Sequence, residues 1–127
     1  MNRIAINTEH APAAIGTYSQ AIKTDGLIFV SGQIPLDPVS GALVGEHDVE
    51  LQIRQVFDNL KAVAEGAGAS LNNAAKITVF LTDLSHFARV NEIMTEYFDK
   101  PYPARAALEV SALPRGATVE ADAILIV

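Results

Sequence analysis

Two strand-borne charges carry most of the chemistry this sequence could perform. Arg105 sits in Tyr102-Pro103-Ala104-Arg105-Ala106-Ala107-Leu108, a run of small and apolar residues. Such an arginine either ends at a sheet edge with its head in water, or lines a cleft and grips a carboxylate through the parallel hydrogen bonds of its planar fork. Glu120, in Val119-Glu120-Ala121, has the same two readings. It is a solvated carboxylate or a structural partner for Arg105, or it orients a water and accepts its proton. Gly32, in Val30-Ser31-Gly32-Gln33-Ile34-Pro35, either turns the chain at a strand end or lets a ligand approach backbone N–H groups. Tyr18, in Gly16-Thr17-Tyr18-Ser19-Gln20, packs half-buried or closes a pocket with its hydroxyl.

Other chemistry is narrow. The chain has no cysteine, which excludes disulfides, thiolate catalysis and thiolate metal sites. His10, His47 and His86 lie far apart, none at metal-ligand spacing from a second histidine or carboxylate. No Gly-rich phosphate loop, dinucleotide fingerprint or Gly-x-Ser-x-Gly elbow is present. An enzyme built from these residues works without metal or cofactor, by positioning a substrate and a water.

Charge narrows the partners. A formal net charge of −6 and the absence of any Lys/Arg run argue against nucleic acid, whose counterions are displaced by clustered cations. Residues 1–127 fit one domain, and with 50% of them apolar a packed interior is expected. The first twenty residues mix Asn2, Arg3, Glu9, His10 and Ser19 with isolated apolar positions, unlike a signal peptide, and no run is long enough to cross a bilayer. A cytoplasmic protein without a membrane partner is the expectation.

The elements that must position these residues follow from periodicity. Arg3–Asn7 reads as a short strand before an Ala/Pro loop; Ser19–Thr24 and Leu27–Ser31 read as strands joined by the hairpin signal Asp25-Gly26. From Val49 to Ala67 the apolar residues fall at helical spacing, with Asp48 as N-cap. Ala75–Leu81 is a β-branched strand, and Ser85 caps a second helix whose stripe is Phe87, Val90, Met94, Tyr97 and Phe98. Arg105–Val110 and Thr118–Val127 are the last strands. The order β-β-β-α-β-α-β-β is that of an α+β domain, a mixed sheet with two helices on one face.

Facing then matters. If Ala106, Leu108 and Val110 meet the helices, Arg105, Ala107 and Glu109 point to the other side, where Glu120 also points. A simple hairpin near Pro114-Arg115 would leave Arg105 and Glu120 about 13 Å apart along the strands. A shared small-molecule site therefore needs a wider connection, or strands that are not direct neighbours. The last strand and Leu27–Val30 are apolar on both faces, so the face without helices must be buried against something. A second copy of the chain is the simplest cover.

Taken together, Gly16-Thr17-Tyr18-Ser19-Gln20-Ala21-Ile22, Val30-Ser31-Gly32-Gln33-Ile34-Pro35-Leu36-Asp37-Pro38, Arg89-Val90-Asn91-Glu92 with Tyr97-Phe98, and Pro103-Ala104-Arg105 with Val119-Glu120-Ala121 resemble the RidA/YjgF family from about Ile4 to Val127. The resemblance implies a chorismate-mutase-like subunit and a homotrimer with its sites in clefts between subunits. It also implies cofactor-independent hydrolysis of 2-iminobutanoate and 2-iminopropanoate to 2-keto acids and ammonia. By position, Arg105 would bind the substrate carboxylate and Glu120 would orient the attacking water. Tyr18, Ser31, Gly32 and Asn91 would line the pocket from the neighbouring subunit.

Two positions depart from the family pattern. Thr17 replaces the Pro usual before Tyr-Ser-Gln, loosening that loop. Ala107 stands where several members carry Cys; the resemblance gives that position a role through its backbone N–H, which alanine keeps. Rival readings are a deaminase of another imine or enamine carboxylate, such as aminoacrylate or aminomuconate, a non-enzymatic trimeric ligand-binding or protein-protecting module, and RNA cleavage.

Overall fold

The computed structural model describes residues 2–127. Along the chain come β1 (Ile4–Ile6), β2 (Ala21–Thr24), β3 (Leu27–Gln33), α1 (Val49–Gly66), β4 (Ala74–Leu81), α2 (Phe87–Met94), β5 (Ala104–Glu109) and β6 (Val119–Ile126). This is the element order and the α+β class expected from the sequence. Asp25-Gly26 closes the β2–β3 hairpin: Thr24 faces Leu27, and Gly26 takes the left-handed φ of 80° that such a turn needs. Asp48 caps α1, its carboxylate accepting from the Leu51 N–H at 3.1 Å.

The second helix differs from expectation at both ends. Asp83, not Ser85, supplies the side-chain cap: it accepts from the Ser85 N–H at 2.9 Å and starts a short turn, Leu84–His86, that runs into α2. The helix stops at Met94, so Tyr97 and Phe98 reach Phe57 from the turn beyond it, with ring centroids 5.5 and 5.8 Å away. Spacings of three and four keep side chains on one face whether the backbone is a full helix or successive turns, and periodicity alone does not separate the two.

The six strands form one sheet in the order β1-β2-β3-β6-β4-β5. Only β4 and β5 run parallel; the other neighbours are antiparallel. β4 thus separates the last two strands, which is the second of the two arrangements a shared site required. Residues directly opposite one another on neighbouring strands share a face. The row Ala21–Val30–Ala123–Ile77 is buried and lies in one core cluster with Ile53, Phe57 and Leu60 of α1 and Val90 and Ile93 of α2.

The other face has no helix over it. Phe29 is 44% exposed, Leu108 46% and Ile126 55%, while Ile22, Leu27, Phe80 and Ile124 are half-buried. Both faces are apolar, as the alternation in β6 requires.

Buried amides fix the loops around the sheet. Gln20 donates to the carbonyls of Thr8 and Pro12 and accepts from the Thr8 N–H. Gln52 of α1 accepts from both the N–H and the hydroxyl of Thr118, just ahead of β6, and donates to Gly45. Asn59 donates to Ile34 and Leu36. Each ties a segment with no ladder of its own to the core, because a buried amide left unpaired is costly.

Candidate functional site

The register reverses one expectation. Arg105 pairs with Ile77, Ala107 with Val79 and Glu109 with Leu81, and those three β4 residues are fully buried beneath the helices. Arg105, Ala107 and Glu109 therefore face the helix side, and Ala106 and Leu108 the open side. The sequence misled because β5 is an edge strand of small residues, four of its six positions exposed, so its apolar period carried no facing signal. Glu120 pairs with Phe80 on the open face, as expected of it. Arg105 and Glu120 of one chain thus lie on opposite faces of the sheet. They are two strands and three residues apart, about 10 Å in each direction.

Arg105 is held by α2. Its Nη1 donates to Asn91 Oδ1 at 2.8 Å and lies 3.5 Å from Met94 Sδ. Its Cζ stands 4.7 Å from the centroid of the Phe87 ring. Phe87, Asn91 and Met94 are i, i+4 and i+7 of one helix, hence a single stripe. Asn91 therefore belongs with Arg105 in the same chain and not, as the resemblance suggested, with the opposite wall. α2 is fixed in turn by Arg89, which bonds Glu50 of α1 at 2.5 Å and Glu92 at 2.7 Å. Glu109 accepts from the Leu84 N–H at 3.0 Å, tying β5 to the turn before α2.

Ala107 follows Arg105 on the same face, half-buried, and with Leu84, Phe87 and Arg105 it lines an apolar hollow. The Val110 N–H donates to Leu81 at 2.8 Å. Two-residue alternation then turns the Ala107 N–H to the free edge of β5. On the other flank of Arg105, Asn91, Thr95, Tyr102 and Pro103 help to line a second hollow of about 340 Å³.

Glu120 forms a second cluster with Gly32. A methyl built on the Gly32 α-carbon would lie 3.0 Å from Glu120 Cδ and closer still to Oε2. The glycine is there to admit the carboxyl group over the irregularity between Val30 and Gln33. Burial, and after it the charge of Asp122 on the same face, push the Glu120 carboxyl above the ordinary glutamate value. Asp122 is itself pushed up by burial, against the opposing pull of Thr78 and Lys76.

Ser31 makes no free donor. Its hydroxyl donates to Ser19 at 2.6 Å, and its N–H donates to Gln20 at 2.9 Å. It fastens to β3 the loop that carries Tyr18. Tyr18 is 46% exposed, its hydroxyl accepting from the Ile15 N–H at 3.3 Å.

The residues selected from sequence thus fall into two groups: Arg105, Asn91 and Ala107 beside α2, and Glu120 with Gly32 on the open face, next to the β3 end that holds the Tyr18 loop. Phe87 and Met94 were read only as core. The signal that could have found them is the polar Asn91 interrupting an apolar helical stripe. Among the described residues no three histidine or carboxylate groups are placed to hold a metal ion, and no helix is long and apolar enough to cross a membrane.

Comparison with known proteins gives a consistent set of relatives. The family model described as Endoribonuclease L-PSP matches residues 8–127. The chain is 49% identical over 124 residues to the 2-iminobutanoate/2-iminopropanoate deaminase of Mus musculus, across 98% of this chain and 91% of that one. The crystal structure of RidA from the Antarctic bacterium Psychrobacter sp. PAMC 21119 superposes with a TM-score of 0.94 at 48% identity, over 98% of this chain and 100% of the other. That of E. coli TdcF with bound serine gives 0.91 at 38% identity, over 98% of each chain.

Proposed function

The chain belongs to the RidA/YjgF family, and from that premise we propose that it hydrolyses 2-imino acids such as 2-iminobutanoate and 2-iminopropanoate, in clefts between the subunits of a homotrimer. The observation that carries this reading is the separation of its two charged groups. Among the described residues, one edge of the Arg105 fork, Nε and Nη2, has no partner, and the Glu120 carboxyl, raised by burial and Asp122, accepts no hydrogen bond. A small acid spans neither the thickness of a sheet nor the width of two strands. One substrate meets both groups only if they come from different copies. The open apolar face supports that assembly, since covering the exposed half of each large side chain there contributes about 1 kcal/mol.

In such a cleft the Arg105 edge takes the substrate carboxylate side-on, and the outward N–H of Ala107 stands beside it. Glu120 of the neighbouring copy faces the C=N carbon. Its negative charge stabilises the protonated imine, and it accepts a proton as a water oxygen bonds to carbon. That proton then passes from Glu120 to nitrogen, the freed carboxylate takes up the hydroxyl proton as C=O forms and the C–N bond breaks, and ammonia leaves a 2-keto acid. The imine carbon is already electrophilic, so positioning is the larger part of the task. The names of the relatives point the same way: the mouse protein is a deaminase of these imines, and TdcF holds an amino acid.

The test supplies imines in situ from an amino-acid oxidase, using alanine, 2-aminobutyrate and leucine in turn, and follows ammonia release above the spontaneous rate. Acceleration for each carboxylated imine is the expected result. Binding of 2-keto acids without acceleration would instead establish a ligand-binding module. Salt-dependent RNA binding with cleavage would establish the activity in the family model's description, against which the net charge of −6 weighs.

A further inference from the structure

We infer that Phe87 is a positioning residue for Arg105, setting the plane in which the guanidinium offers its free edge to a substrate carboxylate; this rests on the reading of Arg105 as the carboxylate holder. An arginine on an exposed edge strand has many rotamers, and binding through it loses affinity to whatever disorder must first be removed. Asn91 holds only Nη1, at 2.8 Å. Met94 Sδ adds a weak contact at 3.5 Å to the same nitrogen, and contacts to one terminal nitrogen leave the guanidinium free to tilt about it. The Phe87 ring, 4.7 Å beneath Cζ, removes the tilt, because a cation is attracted to the face of a ring and not to its edge.

The ring is itself fixed. Phe87 is half-buried against the core cluster and opens α2, directly after the turn tied to Glu109 of β5. Strand and platform therefore move together. With Cζ seated over the Phe87 ring and Nη1 engaged by Asn91 and Met94, the donors left to the guanidinium among the described residues are those of the Nε–Nη2 edge. That edge has the geometry a carboxylate accepts in two parallel bonds. A leucine or methionine at position 87 would keep an apolar filler and lose the orientation.

The test is a double-mutant cycle on the assembled protein, read as the dissociation constant of 2-oxobutanoate by NMR titration and as kcat and KM with an imine generated in situ. Phe87→Leu should weaken 2-oxobutanoate binding about three- to tenfold and raise KM more than it lowers kcat, since the carboxylate is held alike in ground and transition states. Phe87→Tyr keeps the ring face and should stay within about twofold of wild type. In an Arg105→Ala background, Phe87→Leu should change binding hardly at all. Should Phe87→Leu fold poorly, Phe87→Met removes the ring with less loss of length. Equal losses with and without Arg105, or no loss in either background, would overturn the inference while leaving Arg105 in place. Unchanged 2-oxobutanoate binding in Arg105→Ala alone would overturn the carboxylate role of Arg105 and the inference with it.

Discussion

Gly32 lies under the Glu120 carboxyl so closely that no side chain fits between them, and neither residue has a sequence neighbour in common with the Arg105 cluster on the far face of the sheet. The chain carries one charged group on each side of the sheet: a cation braced by α2, and a carboxyl group half-buried in an uncovered apolar face. Burial that lifts the Glu120 carboxyl also lowers the local dielectric, which strengthens its interaction with any charge brought to it from outside. Under the proposed assembly, each of these groups would gain its partner from another copy.

Arg105→Ala should lower kcat/KM for a 2-imino acid about thirtyfold or more, because losing a desolvated, hydrogen-bonded charge pair costs about 2–5 kcal/mol. Arg105→Lys should recover only part, as an ammonium does not reproduce the fork. Steady-state kinetics on a folded, assembled protein decide it, and near-normal turnover in Arg105→Ala would remove Arg105 from the site.

Gly32→Ala separates catalysis from stability. The atoms a new methyl meets are the far end of the Glu120 side chain, which swings aside at small cost, so the melting temperature should stay within about 3 °C of wild type. If Glu120 is the proposed base, its displaced carboxyl loses the position from which it would accept a proton from water, and kcat should fall about tenfold or more. A variant that melts far lower, with kcat intact, would make Gly32 a purely structural glycine.

The raised Glu120 carboxyl predicts two pH effects of opposite sense. As a base it must be ionised, so kcat/KM should fall as pH drops through a value above the ordinary carboxylate range. Asp122→Asn, by removing the negative neighbour, should move that limb to lower pH. For stability, a carboxyl whose value is raised on folding contributes most when protonated, and the contribution is lost as pH rises through the raised value. Glu120→Gln should therefore melt above wild type at neutral pH, the gap closing on acidification. A gap that widens on acidification would show Glu120 to be ion-paired in the folded assembly.

Much of the fold was legible in the sequence because β6, α1 and the Asp25-Gly26 turn each carry a strong local signal: two-residue alternation, a helical stripe, and a dipeptide that favours a two-residue hairpin. Arg105 and Glu120 stand out in the sequence as candidates, since each is a charge flanked by small or apolar neighbours, Ala104 and Ala106 for the one, Val119 and Ala121 for the other. Their arrangement was not legible. The facing of Arg105 depends on the pairing of β5 with β4, a parallel contact between segments separated by α2, and an edge strand of alanines gives no local clue to it. The contact of Asn91 with Arg105 of the same chain is hidden for the same reason. Its partner is fixed by the packing of α2 against β5, which no single-element pattern encodes.

The sharpest test of the shared cleft follows from the opposed faces. Arg105→Ala and Glu120→Gln are prepared separately, each nearly inactive, then unfolded together and refolded in equal amounts. In a closed ring every cleft takes Arg105 from one copy and Glu120 from the next. Random assembly gives about one cleft in four with both groups intact, so about a quarter of wild-type activity should return. Were the site contained within single chains, every chain would still carry one lesion and nothing would return. Native mass spectrometry of the refolded sample, with one variant isotopically labelled, shows whether mixed oligomers form and how many copies they hold. Mixed oligomers with activity no higher than that of the separate variants would rule out a cleft built from Arg105 of one copy and Glu120 of another.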